Sequence, residues 1–224
     1  MKFLTRNEIA RVDKKATRIV GLLQLMENAG NALATHARSM LKDVQGKKIT
    51  ILIGKGHNGG DGLAAARRLT DWGASVTLIS AVRPGEFFTA ASYQYGILKK
   101  QGLTISKKFP QQHDLIIDCL LGYNIKGNPR EKYAEIINAA NQDKTKVLSC
   151  DNPSGLDVTT GKAFDPCIKA THTLALAIPK IGLKAPEAAK VYVADIGFPH
   201  NIYKKARLNV PFIYNKSSEL LVKR

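Results

Sequence analysis

The apolar positions of this chain change period along its length. Ile9, Val12, Ala16 and Ile19 recur at helical spacing. They follow Thr5-x-x-Glu8, a capping pattern whose hydroxyl and carboxylate each satisfy a free backbone group of a first helical turn. Leu22, Met26, Ala29, Leu33, Ala37 and Met40 mark one face of a second helix. Beyond these two, strand-like and helix-like stretches alternate. Residues 48–53 (KITILI), 75–80 (SVTLIS), 114–119 (DLIIDC), 146–150 (KVLSC), 171–177 (THTLALA) and 190–196 (KVYVADI) read as strands. Helices are predicted over about 60–72, 90–101 and 130–141, the second turning Tyr93, Ile97 and Leu98 inward. The tail, 209–224, is consistent either with an edge element or with a surface segment.

Near-continuous apolar strands separated by helices imply a mostly parallel sheet covered on both faces, an α/β fold carrying two additional N-terminal helices. Ligands of such sheets bind beyond the carboxyl ends of the strands. Three strand ends hold the candidate chemistry: 54–62, 118–128 and 151–157.

Composition narrows the picture. The 224 residues suit one α/β domain spanning 1–224, and 44% hydrophobic content supports a packed core. No stretch approaches the ~18–20 consecutive apolar residues of a membrane span, and the N-terminus has no secretory pattern. Three cysteines without C-x-x-C spacing point to a reduced, cytoplasmic protein, with Cys119 and Cys150 acting as small buried hydrophobes. Thirty-four Lys and Arg against 18 Asp and Glu give a net charge of +16, which favours anionic partners. The cations are dispersed as pairs such as Lys14-Lys15 and Lys204-Lys205, with no aromatic ladder, so a nucleic-acid groove is disfavoured.

Gly54-x-Gly56-x-x-Gly59 has the dinucleotide-binding spacing, between a strand and a helix whose N-terminus offers N–H donors to phosphate. The rest of a hydride-transfer site is missing. The second strand ends Ser80-Ala81-Val82-Arg83 without a ribose-binding acid, and Asp61 puts a carboxylate where a pyrophosphate would be repelled. No Gly-Lys-Ser/Thr follows, which excludes a P-loop, and neither H-E-x-x-H nor a G-x-S-x-G elbow is present. Asp118 at the end of its strand could cap the next turn or face a ligand. Asp151 leaves its strand into Asn152-Pro153-Ser154-Gly155, where a partly shielded carboxylate can serve as acid or base. Asn58, Asp118 and Ser154 offer oxygen ligands only, suited to a hard cation and not to zinc.

The combination of Leu25-Met26-Glu27-Asn28-Ala29-Gly30, Gly54–Leu63, Asp118-Cys119-Leu120-Leu121-Gly122, Asp151–Gly161, Lys180-x-Gly182-Leu183 and Asp195-Ile196-Gly197-Phe198-Pro199 resembles the YjeF N-terminal domain family, the NAD(P)H-hydrate epimerases. The resemblance runs over nearly the whole chain and in the family's order. It implies a Rossmann-like three-layer α/β/α fold, a homodimer, and interconversion of the R and S epimers of hydrated NADH or NADPH. A separate ADP- or ATP-dependent dehydratase would then repair the product. By position, His57, Asn58, Gly59, Gly60 and Asp61, with Gly122, Tyr123, Asn124, Ile125, Lys126, Gly127 and Asn128, would bind the hydrated nucleotide. Asp151 would contact it as the acid/base, and Asn58, Asp118 and Ser154 would hold a potassium ion. Glu27 and Asn28 would lie near the site. The chain departs from the family in His57, where Asn is frequent, and in Gly122-Tyr123-Asn124-Ile125-Lys126-Gly127, which is closer to the eukaryotic-type form. A second reading is a catalytically silent dimeric scaffold or RNA-binding module of the same fold.

Overall fold

The computed structural model describes residues 2–211 and 218–222. Helix α1 (Arg6–Val20) starts at the expected cap: Thr5 Oγ1 accepts from the Glu8 N–H and Glu8 reaches back to the Thr5 N–H at 2.8 Å. Gly21, at a φ of 94°, turns the chain directly into α2 (Leu22–Leu41). The core elements follow: β1 (Lys48–Ile53), α3 (His57–Asp71), β2 (Ser75–Ser80), α4 (Thr89–Lys100), β3 (Leu115–Cys119), α5 (Glu131–Gln142), β4 (Val147–Cys150), β5 (His172–Leu176) and β6 (Lys190–Ala194). Short α6 (Asn201–Lys205) and strand β7 (Glu219–Leu221) complete the described chain.

The sheet runs in the order β2-β1-β3-β4-β5-β6-β7, parallel except for the antiparallel β6–β7 pair. Alternation along β1 sorts side chains to two layers. Ile51 and Ile53 pack with Leu33 of α2, Leu63 of α3 and Leu98 of α4, whereas Leu52 packs with Ile136 and Ile137 of α5. The expected three-layer α/β/α architecture is therefore observed. Strand order reverses direction between β1 and β3, and the crevice beyond these strand ends is where such sheets bind ligands.

Three expectations are corrected. Helix α3 begins at His57, not near residue 60, so most of the glycine segment is the first turns of a helix and only Gly54–Gly56 form a turn. A methyl group at Gly54 would overlap the Leu120 carbonyl, and one at Gly59 would overlap the Gly54 carbonyl; the glycines bring α3, β1 and the β3 exit into backbone contact. Tyr93 is 57% exposed, because α4 docks through Ala90, Ala91, Gln94 and Leu98 instead. Ile19 is exposed as well, lying past the buried Ile9–Val12–Ala16 stripe of α1. The tail supplies an edge strand in β7, while residues 212–217 and 223–224 lie outside the described residues.

Candidate active site

A cavity of about 670 Å³ opens at the switch point, with walls from α1, α2, the start of α3 and the segments after β3, β4 and β5. Its polar centre is Asp151. Directly after β4, this residue takes a φ of 66°, a left-handed conformation that Asp tolerates better than most side chains. The Asp151 backbone N–H bonds the Leu174 carbonyl at 2.8 Å. Its Oδ1 accepts from the Leu176 N–H at 3.1 Å and from the ammonium of Lys180. Lys180 is only 2% exposed, so the ion pair is a buried one.

Two more carboxyl groups share this cavity. Asp61, on α3, is buried, and its pKa is pushed well up by that burial and by the neighbouring Asp151 and Asp13, against the pull of Lys180. Asp13, on α1, is also pushed up by burial; the Tyr123 hydroxyl, which donates to Asp13 Oδ2 at 2.9 Å, pulls the other way. The site thus combines an ion-paired carboxylate with two carboxyl groups that burial biases toward the protonated form.

Asp118 lies beneath this floor, fully buried at the end of β3. Its Oδ1 accepts from the Ser154 hydroxyl at 2.6 Å and the Leu120 N–H at 3.2 Å; its Oδ2 accepts from the Ser149 hydroxyl at 2.9 Å and the Ser154 N–H at 2.8 Å. Burial raises its pKa and these bonds only partly offset the rise. Ser154 Oγ in turn accepts from the Leu121 N–H at 2.9 Å. Asp118 therefore holds its own turn, as the capping alternative anticipated, and also fastens the β4 loop. Asn58 is different: its side-chain oxygen and nitrogen are both buried without a hydrogen-bond partner among the described residues. Buried amides are normally paired; beside Gly122 the orphaned Oδ1 suits an oxygen-seeking cation, whereas the orphaned Nδ2 calls for a hydrogen-bond acceptor. Asn58, Asp118 and Ser154 present oxygen atoms of the type a hard cation takes, those of Asp118 and Ser154 already engaged in the bonds above. No cluster of three or more His, Cys, Asp or Glu able to hold a metal ion occurs among the described residues.

Of the residues expected to bind substrate, His57, Asn58, Asp61, Gly122, Tyr123, Asn124, Ile125 and Asp151 line the cavity. Gly59 packs on the β1 exit, and Gly60 meets the Met26 side chain and the Ala91 backbone, so both act in helix packing. Lys126, Gly127 and Asn128 are exposed outside the lining, Asn128 accepting from the Asp165 N–H at 3.2 Å. Glu27 receives Arg67, Arg68 and Gln94, and Asn28 donates to the Ile196 carbonyl; together they lock α2 to α3, α4 and the segment after β6. Sequence reasoning missed Lys180 as the partner of Asp151, and missed Asp13. Lys180 was visible only as one position of a matched segment, and Asp13 carried no motif.

Fold and cavity define the class: a Rossmann-like α/β protein with a carboxylate-rich cavity at its switch point. The chain belongs to the YjeF-related protein N-terminus family, whose sequence model matches residues 22–182. It is 32% identical to an NAD(P)H-hydrate epimerase of Dehalogenimonas lykanthroporepellens over 90% of this chain and 86% of that one. It is also 32% identical to an NAD(P)H-hydrate epimerase of Levilactobacillus brevis over 88% of this chain and 94% of that one. A bifunctional NAD(P)H-hydrate repair enzyme Nnr of Moorella thermoacetica is 33% identical over 93% of this chain, which spans only 43% of that protein. A similar relative in Hyperthermus butylicus is spanned to 39%, so the chain covers about two-fifths of these bifunctional proteins. The crystal structure of yeast ynu0, YNL200c, superposes with a TM-score of 0.84 at 23% identity, over 99% of this chain and 100% of that one, a likeness of fold.

Proposed function

We propose that this protein is an NAD(P)H-hydrate epimerase, interconverting the R and S forms of hydrated NADH or NADPH. The observation that carries the reading is the Asp151–Lys180 ion pair in the cavity at the switch point. Changing the configuration of a carbon that bears a hydroxyl beside a ring nitrogen requires both a proton acceptor and a proton donor. Asp151 supplies the acceptor, held in orientation by Lys180 and the Leu176 N–H. Asp61, biased by burial toward its neutral form, supplies the donor, so environment divides two roles between like groups.

Potassium belongs to the same proposal, with Asn58, Asp118 and Ser154 as its holders. When bound, the ion would neutralise local negative charge and order the oxygen-rich loops. We further infer a homodimer, to be read by sedimentation, and functional coupling to a dehydratase that removes one epimer. Because the substrate is anionic, the +16 chain is electrostatically suited to it.

The test supplies the purified R epimer together with a dehydratase specific for the S epimer and follows conversion. Wild-type chain should drive conversion to completion, and Asp151→Asn should reduce kcat about 10²–10⁴-fold while the fold is retained. Equal rates with and without the protein would sink the assignment, and equal rates for wild type and Asp151→Asn would remove Asp151 from the chemistry.

A further inference from the structure

The segment before and within α1 is bonded at once to three segments around the site, and Arg6 is the node. Its backbone N–H donates to Thr159 Oγ1 at 3.0 Å. Its guanidinium donates from Nε to the Tyr123 carbonyl at 3.0 Å and from Nη2 to the Ile125 carbonyl at 3.1 Å. The same Nη2 reaches Asp157 Oδ2 at 2.7 Å. Asp157 is a well-anchored partner: although burial pushes its pKa up, the Thr160 and Thr159 N–H groups and the Arg6 charge hold it below the usual range. Two residues earlier, Leu4 bonds both flanks of Lys180, donating to the Pro179 carbonyl and accepting from the Ile181 N–H, each at 3.0 Å. Two helical turns later, Asp13 receives the Tyr123 hydroxyl.

A guanidinium is the one side chain whose planar fork can satisfy two carbonyls and a carboxylate together. Tyr123, Asn124 and Ile125 all line the cavity and no regular element holds them, while the carbonyls of Tyr123 and Ile125 accept from Arg6. We propose that Arg6 is a positioning residue for substrate binding: it sets the Tyr123–Ile125 backbone, and so seats the Tyr123 hydroxyl on Asp13 within the cavity that holds Asp151 and Lys180. The activity in which this is read rests on the function proposed above. Arg6 and Asp13 both precede the segment that the family's sequence model matches.

Arg6→Lys is the discriminating variant, since it keeps the charge opposite Asp157 but loses the fork. In the full chain, KM should rise about tenfold as the Tyr123 and Ile125 carbonyls lose their bonds to the guanidinium, with kcat changed less than about twofold. Hydrogen–deuterium exchange across 122–127 should quicken while exchange in β1 and β3 stays slow. Adding Tyr123→Phe to Arg6→Lys should raise KM no further than either change alone, because both remove the same seating. Wild-type KM together with wild-type loop exchange in Arg6→Lys would overturn the proposal. So would a fall in kcat that follows a lowered Tm at constant KM, which marks a purely structural role. An inactive wild-type protein would sink the epimerase reading instead, and the exchange arm would then judge Arg6 by itself: quickened loop exchange supports the positioning role and unchanged exchange refutes it.

Discussion

Lys180 is buried to 2% exposure, and a buried ammonium is tolerable only because the Asp151 carboxylate meets it. Removing one member of such a pair leaves a buried charge without its partner. Lys180→Met should therefore lower stability by about 3–5 kcal/mol, read as a shift in the urea midpoint, and the double variant with Asp151→Asn should regain most of that loss. Equal destabilisation of single and double variants would contradict the pairing. Asp151 was legible in the sequence because it ends an apolar strand and enters a Pro- and Gly-containing turn. Its partner was not: 29 residues separate them, and their contact depends on how the chain leaves β5. Asp13 was hidden for the same reason, since an acid on an amphipathic helix looks solvated until the Tyr123 loop covers it.

Among the elements, α2, β5, β6 and β7 meet at a pair of histidines. His36 Nδ1 lies 2.8 Å from Glu219 Oε1, and His36 Nε2 lies 3.0 Å from His172 Nδ1, with Tyr192 packed on both rings. A carboxylate only accepts, so His36 Nδ1 carries a proton and one proton serves the contact between the rings. Burial, with His36 next, depresses the His172 pKa from 6.5 to about 4. A depressed folded-state pKa contributes stability that is present above 6.5 and lost as pH falls toward 4. Tm should fall over that window, and His172→Phe should flatten the fall; identical pH profiles would refute the assignment. The helices themselves were legible where capping and periodicity agreed, as in α1. The start of α3 was not, because glycine has poor intrinsic helix propensity and only backbone contact with Gly54 and packing against Met26 explain its place there. Tyr93 was misread since α4 docks through Ala90, Ala91, Gln94 and Leu98, a choice that periodicity does not reveal.

For the whole molecule, the charge and the cavity act together. A net charge of +16 raises the local concentration of an anionic dinucleotide, and salt screens that attraction with a Debye length of about 10 Å at 0.1 M. At constant potassium, added sodium chloride should raise KM and leave kcat nearly unchanged; a KM indifferent to salt would mean that the charge does not assist this substrate. Salt-sensitive RNA binding that survives Asp151→Asn would favour the scaffold reading. The order of strands and helices, the three-layer class and the three chemistry-bearing strand ends were all readable along the chain. Apolar period and turn residues are local properties, and the parallel α/β arrangement leaves those ends on one side. The pairing of Asp151 with Lys180, the seating of Tyr123 on Asp13, the clamp at Arg6 and the orphaned amide of Asn58 were not readable. Each depends on distances between residues remote in sequence, which close only when the sheet has assembled and α1 has folded across its switch point.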